Sequence, residues 1–335
     1  MGSHDTPLPR PDADGDGDPV ANRNQAAHGA ARPRPTALRF ASGPPLLLDR
    51  PRLMGVLNVT PDSFSDGARF TSGGTVDPEA VAAAGLAMAA AGADVLDMGG
   101  ESTRPGADRV AEAEQIRRVV PAVAALRRGL DAASAAAVRI SVDTTRAAVA
   151  AAALDAGADM INDVSAGSDD PGMLELAGDR GVPIALMHMR GQPADMQRDP
   201  TYADVAAEVF AWLSDRAAAA EAAGVASDRI VIDPGIGFGK TLAHNLALLS
   251  RLDALVDTGR PVLLGTSRKS FIGRIFPGAA EAADRLPGTL ATTALGVAAG
   301  VQLFRVHDVG PNAQAAAVAA AIGGAVGGAI AEAGR

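Results

Sequence analysis

The chain of 335 residues contains no cysteine, and only 3% of its residues are aromatic. The absence of cysteine excludes disulfide bonds, thiolate zinc sites and thiol nucleophiles. Because 47% of the residues are apolar and few are aromatic, the core has to be built from Ala, Val, Leu and Ile. Alanine-rich helices pack closely against a sheet, which favours a layered α/β fold.

The chain also lacks long runs of Lys and Arg, and its formal net charge is −9. A nucleic-acid partner is not expected, because such surfaces need clustered cations to displace counterions from the phosphate backbone. A local group of arginines can still bind an anionic substrate. Residues 1–36 lack the apolar centre of a signal peptide. Residues 312–331 are uncharged, but their many Ala and Gly residues predict a packed helix and no membrane span.

The chain divides into an irregular tail and a regular domain. Residues 1–36 are rich in Pro, Asp, Arg and Ala and predict a disordered tail, and residues 37–335 form the predicted catalytic domain. Two short apolar runs, 37–40 and 45–48, predict a small hairpin at its start. The pattern that follows is an apolar strand ending in a polar side chain. Its eight runs are 53–57, 95–97, 139–143, 160–163, 183–188, 230–233, 262–266 and 302–306.

Helical stretches separate these runs, and successive strand ends lie roughly 35 residues apart, the length of one unit in an eightfold α/β barrel. We therefore predict a (β/α)8 TIM barrel. Reactive groups in such barrels lie at the carboxyl ends of the strands, which predicts one active site at that rim. The polar residues at those ends are Asn58, Asp97, Asp143, Asn162, His188, Asp233, Ser267 and Arg305 with His307.

Two carboxylates and an amide form the first group of candidate site residues. Asp233 precedes Pro-Gly-Ile-Gly-Phe-Gly, whose glycines let the backbone approach something flat or crowded near Phe238. A buried carboxylate accepts two hydrogen bonds from the amidine-like edge of a 2-amino-4-oxo heterocycle. Asp143 and Asn162 could bind other edges of the same ring, or could each form a structural salt bridge or cap.

A second group of polar donors is predicted to lie apart from these acids. Arg305 and His307 lie on one face of the last strand, because alternate residues of a strand point the same way. Arg104 lies on a Gly-rich loop after the second strand. With Asn58, these side chains could hold a diphosphate, and the amide oxygen of Asn58 could bind a hard cation. Asn58 alone would be a poor metal site, so Mg²⁺ would be held mostly by substrate phosphate and water.

Two strand ends leave alternatives open. Lys269 and Ser270 follow the seventh strand where a helix should begin, and free N–H groups there favour a carboxylate or phosphate. Lys269 could bridge two substrates, or the segment could be an ordinary capped helix. Met187 could fill the core or contact a ligand, and His188 could support catalysis or take part in it.

Taken in order, these motifs resemble those of the dihydropteroate synthases. The matching segments, within about residues 51–311, are NVTPDSFSDG from Asn58, GGESTRPG at 99–106, SVDT around Asp143, NDVS from Asn162, DPGIGFGK from Asp233, SRKS at 267–270 and RVH at 305–307. The resemblance implies a transferase of folate biosynthesis. Such an enzyme condenses (7,8-dihydropterin-6-yl)methyl diphosphate with 4-aminobenzoate and releases diphosphate.

The resemblance also implies which residues bind each substrate. Those implied to hold the pterin are Asp143, Asn162, Asp233 and Lys269, with Met187 and Phe238 nearby. Those implied to hold the diphosphate are Thr103, Arg104, Arg305 and His307, and Asn58 is implied to bind magnesium. The 4-aminobenzoate would lie between Phe64, Pro105, Lys269 and Ser270. Catalysis is assigned to Asp143, Asp233 and Lys269.

The same resemblance implies a cytoplasmic setting, a sulfonamide target and commonly a homodimer formed through the later barrel helices. One departure is Arg146, where the family often has Lys. Three other functions are considered. A pterin-binding methyltransferase would not need the loop after Asn58 or the SRKS segment. A non-catalytic pterin-binding paralogue should have lost some of the polar residues. If the chain were a phosphate-binding barrel isomerase, the presence of Asp143, Asn162 and Asp233 together would have no explanation.

Overall fold

The structure, a computed structural model, describes residues 34–60, 71–72, 75–102, 106–107 and 109–333, with side chains as far as residue 324. The predicted hairpin is present, because β1 (Ala37–Leu38) pairs with β2 (Leu46–Leu47) in antiparallel register. The predicted boundary between tail and barrel stays a prediction, since residues 1–33 lie outside the described part.

Eight parallel strands form the central sheet, one from each predicted run. They are β3 (Arg52–Asn58), β6 (Val95–Gly99), β7 (Arg139–Asp143), β8 (Met160–Asp163), β9 (Ile184–Met187), β10 (Ile230–Asp233), β11 (Leu263–Leu264) and β12 (Leu303–Val306). A further antiparallel pair, β4 (Thr71–Ser72) and β5 (Thr75–Val76), precedes the first helix, and the sequence did not predict it.

The strands follow one another around the sheet in the order β10-β9-β8-β7-β6-β3-β12-β11. A parallel bridge between Ile232 of β10 and Val262, next to β11, brings the two edges together. This arrangement confirms the predicted (β/α)8 barrel. Parallel strands require crossover connections, and helices on the outer face provide them.

Ten helices surround the strands in the described part of the chain. They are α1 (Pro78–Ala90), α2 (Glu112–Ala132), α3 (Ala147–Asp155), α4 (Gly172–Arg180), α5 (Val205–Ala222), α6 (Leu242–Leu249), α7 (Leu252–Val256), α8 (Ser270–Ile275), α9 (Leu286–Ala299) and α10 (Val309–Ala333). The carboxylates of Asp77 and Asp204 cap α1 and α5 by accepting backbone N–H bonds. Among the described residues, no helix combines the length and apolarity needed to cross a membrane.

Two apolar clusters fill the molecule. The larger lies between the helices and the strands and contains many buried alanines of α2, α3 and α5, which agrees with the composition. The smaller joins Leu38, Phe40 and Leu46 of the hairpin region to residues at the beginnings of the strands. The hairpin therefore closes the amino end of the barrel and leaves the carboxyl end for polar side chains.

Candidate active site

One cavity at the carboxyl end of the barrel gathers most of the predicted pterin and diphosphate residues. Its lining comprises Asp143, Asn162, Val164, Met187, Asp233, Phe238, Gly265, Ser267, Lys269, Arg305 and His307. These residues are far apart in the chain, but parallel strands bring their carboxyl ends to the same rim. Met187 lines the cavity although only 3% of it is exposed, so core filling and ligand contact both stay predictions for it. The roles given to these residues remain predictions.

A guanidinium lies between two buried carboxylates at the centre of this rim. Arg305 Nε donates to Asp97 Oδ2 at 2.6 Å, and a terminal nitrogen donates to Asp143 Oδ2 at 2.7 Å. Asn162 Nδ2 also donates to Asp97 Oδ2, at 3.0 Å. Arg305 was predicted to lie apart from the acids, and that prediction was wrong. Two carboxylates withdrawn from water need a counter-charge, and Arg305 is close enough to supply it.

The other oxygen of each of these two carboxylates has no hydrogen-bond partner among the described residues. These atoms, Asp97 Oδ1 and Asp143 Oδ1, are both buried, and Asp143 lines the cavity. Leaving a buried acceptor unpaired is costly, so such atoms call for a donor from a ligand or water. Asp97 was predicted from the sequence only as a polar strand end, with no role in the site. Its signal was the same polar strand end that identified Asp143.

Burial shifts the proton affinities of the site. It raises the pKa of Asp143 to about 7, against the lowering effect of Arg305, and the charge of Asp97 raises it further. Burial also raises the pKa of Asp233, which Lys269 opposes. The pKa of Lys269 falls to about 8 because burial disfavours its charge more than Asp233 stabilises it. Groups that change protonation near neutral pH are common in active sites.

The glycine-rich segment after β10 crosses closely over the end of β9. Gly235 has a φ of +66°, and a Cβ built on it would lie 1.9 Å from the carbonyl oxygen of His188. Its N–H donates to Asp233 Oδ1 at 2.7 Å. The glycines were expected to allow a close backbone approach, and here the close neighbour is the chain itself. Lys269 Nζ lies 4.6 Å from the centre of the Phe238 ring and donates to the carbonyl of Ile236.

The buried side chain of Lys240 bonds the segment after β10 to the end of β9, where the two cross. Lys240 Nζ lies 3.0 Å from His188 Nδ1 and donates to the carbonyls of Phe238 at 3.0 Å and of His188 at 3.3 Å. The ring of His188 packs edge-on against Trp212. Burial, with the charge of Lys240, lowers the pKa of His188 to about 3. His188 is outside the cavity lining, and this position favours a supporting role among the alternatives left open by the sequence.

The other predicted site residues are placed less completely. Ser270 begins α8 and is exposed, and Asn58 ends β3 half-buried. His307 bonds through its N–H and its Nδ1 to Ser267 Oγ, at 3.1 and 3.0 Å. The remaining predicted ligands of the diphosphate and of 4-aminobenzoate lie outside the described residues. They are Phe64, Thr103, Arg104 and Pro105.

The surroundings of Asn58 fit a magnesium ion held mainly by a substrate. Asn58 Oδ1 lies near Gly99, 3.7 Å from where a Cβ on that residue would be, so the missing side chain leaves room beside this amide oxygen. No cluster of three or more His, Cys, Asp or Glu that could hold a metal ion occurs in the part of the chain described. Magnesium readily keeps its waters and binds substrate phosphates with one or two protein oxygens.

Comparisons with known proteins agree with this site. A sequence model of the pterin binding enzymes matches residues 54–307. Dihydropteroate synthase of Escherichia coli is 44% identical over 82% of this chain and 93% of that protein. Its counterpart in Mycobacterium leprae is 47% identical over 77% of this chain and 88% of that protein.

Solved structures show the same likeness. Dihydropteroate synthase of Yersinia pestis, solved as a complex with a sulfonamide drug, has a TM-score of 0.79 and 40% identity, covering 85% of this chain and 98% of that one. The Xanthomonas albilineans enzyme with 4-aminobenzoic acid has a TM-score of 0.76 and 45% identity, covering 86% and 98%. The family model covers most of the chain, and the relatives are at least 40% identical over most of both chains, so this chain belongs to the dihydropteroate synthase family.

Proposed function

We propose that this protein joins (7,8-dihydropterin-6-yl)methyl diphosphate to 4-aminobenzoate, giving 7,8-dihydropteroate and diphosphate. The observation that carries the proposal is the single cavity in which Asp143, Asn162, Asp233 and Lys269 face Arg305. Structures of the Xanthomonas albilineans relative with 4-aminobenzoic acid and with 7,8-dihydropteroate support the choice of substrate and product.

The reaction breaks the bond between the pterin methylene carbon and the diphosphate oxygen and forms a bond from that carbon to the amine nitrogen. Negative charge grows on the leaving diphosphate while the methylene becomes electron-poor. Cations near the diphosphate and carboxylates around the pterin stabilise this separation more in the transition state than in the ground state. The amine attacks as a neutral nucleophile and loses its proton afterwards, so no strong base is required.

The unpaired oxygens of Asp97 and Asp143 can accept hydrogen bonds from the N–H edge of the pterin ring. Asp233 can accept from the amidine-like edge, while its Oδ1 is held by the N–H of Gly235. Lys269 lies over Phe238, where its charge can act beside the ring. Closure of the site over the substrates would exclude water that could otherwise consume the electron-poor methylene.

Magnesium is proposed as the cofactor, with Asn58 as its protein ligand and the substrate diphosphate and water as the others. When bound, the ion would neutralise charge on the departing diphosphate. We expect chelation to abolish turnover and added Mg²⁺ to restore it. Asn58→Ala should raise the Mg²⁺ concentration needed for half-maximal diphosphate-substrate binding about tenfold, as measured by calorimetry. An unchanged Mg²⁺ requirement would remove Asn58 from the metal site.

A homodimer is proposed through an exposed apolar face on α9 and α10. Leu295, Val318 and Ile322 are 68%, 55% and 62% exposed on these helices. The two helices pack on each other, and large exposed apolar side chains on neighbouring helices favour a protein interface. Leu295→Glu should shift the sedimentation coefficient from dimer to monomer, whereas a wild-type monomer would contradict the proposal. The cytoplasmic setting is proposed from the family resemblance alone.

The decisive experiment measures diphosphate release from the pterin diphosphate with and without 4-aminobenzoate. We expect release to depend on the amine and to match the dihydropteroate formed. Pterin binding without release would favour the non-catalytic paralogue. Release of diphosphate without amine consumption would contradict the condensation.

A further inference from the structure

Arg268 adopts a backbone conformation that side chains rarely adopt. It lies between Ser267 and Lys269, two residues that line the cavity, and its φ is +58°. A residue other than glycine is strained in this left-handed region and stays there only where its surroundings determine the conformation. The contacts of Arg268 therefore indicate which function requires the strained turn at residues 267–269.

The side chain and the backbone of Arg268 are both tied down. Its Nε donates to Asp308 Oδ2 at 2.9 Å and its terminal nitrogen donates to Asp308 Oδ1 at 2.6 Å, a two-point pairing that fixes orientation as well as distance. Its backbone N–H donates to Thr289 Oγ1 at 3.1 Å, and its carbonyl accepts from Arg285 at 2.9 Å. We name the Arg268–Asp308 pair the clasp.

The clasp joins the segment after β11 to the segment after β12, and the proposed reaction needs these two segments at a fixed separation. Asp308 follows His307, which is proposed to bind the diphosphate. Ser267 Oγ makes a second tie to the N–H and Nδ1 of His307. Residues 267 and 268 are thus bonded to residues 307 and 308, and the next residues after the turn are Lys269 and Ser270, proposed to bind 4-aminobenzoate.

We propose that Arg268 is a positioning residue that sets the amine at a fixed distance from the departing diphosphate. This inference rests on the proposed function. The amine nitrogen bonds to the same methylene carbon that the diphosphate leaves, so the two binding regions need a fixed separation. A displacement of about 1 Å at such a site can cost up to 10²-fold in rate. The clasp is a direct link between the two regions.

The pterin itself should bind independently of the clasp. Asp143, Asn162 and Asp233 belong to other strands, and Lys269 Nζ is held separately by the carbonyl of Ile236 and the ring of Phe238. Both clasp side chains are 21% exposed, so the pair is partly buried and its loss should lower thermal stability. The pterin side chains keep their own contacts, so loss of the clasp should act on the amine and leave pterin affinity nearly unchanged.

The test uses Arg268→Lys, which keeps the charge but loses the two-point pairing, Arg268→Gly, which keeps the backbone conformation, and Asp308→Asn. In each we expect the KM for 4-aminobenzoate to rise about tenfold, with the pterin dissociation constant within about twofold of wild type. Arg268→Lys combined with Asp308→Asn should be no worse than either change alone. Arg274→Lys, on the exposed side of α8, is the control and should match wild type.

Each outcome decides the matter. A wild-type KM in Arg268→Gly would mean that the backbone alone positions the turn, and the inference would be wrong. Equal losses of pterin and amine affinity, or an Arg268→Lys protein that does not fold, would indicate a general structural role and also overturn it. If the wild type lacks amine-dependent diphosphate release, the proposed function fails. If the wild type has that release and the variants behave normally, only this inference fails.

Discussion

Asp97 and Asp143 share one guanidinium, and this pairing sets the electrostatics of the whole site. Asp97 is completely buried and Asp143 nearly so, so neither can rely on water to stabilise its charge. Arg305 binds one oxygen of each. A pterin that donates to the other oxygens would enter a site in which the charges are already arranged, and such preorganisation is a major source of catalytic rate.

The pH dependence of turnover should follow from Asp143 and Lys269. The pKa of Asp143 is raised to about 7, so its carboxylate becomes charged and able to accept from the pterin only as pH rises to that value. The pKa of Lys269 is lowered to about 8, so its positive charge is lost above that value. We expect kcat/KM for the pterin diphosphate to rise towards pH 7 and fall beyond pH 8, because this parameter reports the free enzyme.

The control for this profile is Lys269→Arg, which keeps its charge and should remove the alkaline fall while preserving the acid rise. An acid rise with its midpoint below about pH 5 would show that Asp143 keeps an ordinary carboxyl pKa.

Asp233→Asn should lower kcat by about 10²-fold or more, the cost of losing a preorganised electrostatic partner. The amide has nearly the same shape but cannot accept on both sides or carry charge. Steady-state turnover measures the effect, and Asp215→Asn, on the exposed face of α5, is the matched control. Near-wild-type turnover in Asp233→Asn would place that residue outside the pterin site.

The positions of the site residues could be predicted from the sequence, but their hydrogen-bond partners could not. Asp143, Asn162 and Asp233 were found because each ends an apolar strand, and strand ends share a rim in a barrel. The pairing of Arg305 with Asp97 and Asp143 was missed because it joins side chains across the barrel mouth. Local patterns report which residues face a rim, whereas distances across that rim depend on strand register and side-chain length.

At the scale of elements, the segment from Asp233 to Gly239 is bonded to several other parts of the chain. It is held by Lys240 beneath it, and Gln197 and Tyr202 donate to the carbonyls of Gly237 and Gly239 at 2.6 and 2.9 Å. A segment with this many partners is rigid, and rigidity here positions Phe238 and Asp233 towards the cavity.

Gly235→Ala should disrupt this segment. The new Cβ would lie 1.9 Å from the His188 carbonyl, so the backbone has to move in addition to bearing the strain of a positive φ. We expect the pterin dissociation constant to rise at least about tenfold and the free energy of unfolding to fall by about 3 kcal/mol or more. Calorimetry and chemical denaturation measure the two effects.

Gly224→Ala is the control, because Gly224 also has a positive φ but its Cβ would meet only Gly178 Cα at 3.9 Å. It should lose about 1 kcal/mol of stability and no pterin affinity. Equal effects in the two variants would mean that backbone strain, and not the close crossing over β9, is the important factor.

The elements that the sequence mispredicted are those in which tertiary contacts override local pattern. The helical stretch predicted between the sixth and seventh apolar runs is divided into α6 and α7 at Ser250 and Arg251. The strand predicted at 262–266 is reduced to β11, because residues 266–269 form a turn in which Thr266 and Arg268 bond to Thr292 and Thr289 of α9. No periodicity in the sequence records these contacts.

At the scale of the whole molecule, the two ends of the barrel have different tasks. The carboxyl end carries the buried charges and the unpaired oxygens, which are unfavourable for stability and suited to binding. The amino end carries the hairpin, the apolar cluster around it and ion pairs such as Arg52 with Asp94. This division agrees with the general rule that barrel enzymes place chemistry at one face and stability at the other.

Phe40→Ala tests that division. Phe40 is 6% exposed in the cluster that closes the amino end, and the Arg139 guanidinium lies 4.4 Å from the centre of its ring. Removing a buried Phe side chain typically costs about 3–5 kcal/mol through lost burial and the cavity that remains. We expect a loss of about that size in urea denaturation, with kcat and both KM values unchanged in the folded enzyme, because none of the described residues that line the catalytic cavity belongs to the hairpin.

Leu47→Ala in the same hairpin, at a residue 50% exposed, should change the free energy of unfolding by less than about 0.5 kcal/mol. Altered KM values in Phe40→Ala at unchanged stability would mean that the two ends of the barrel are coupled.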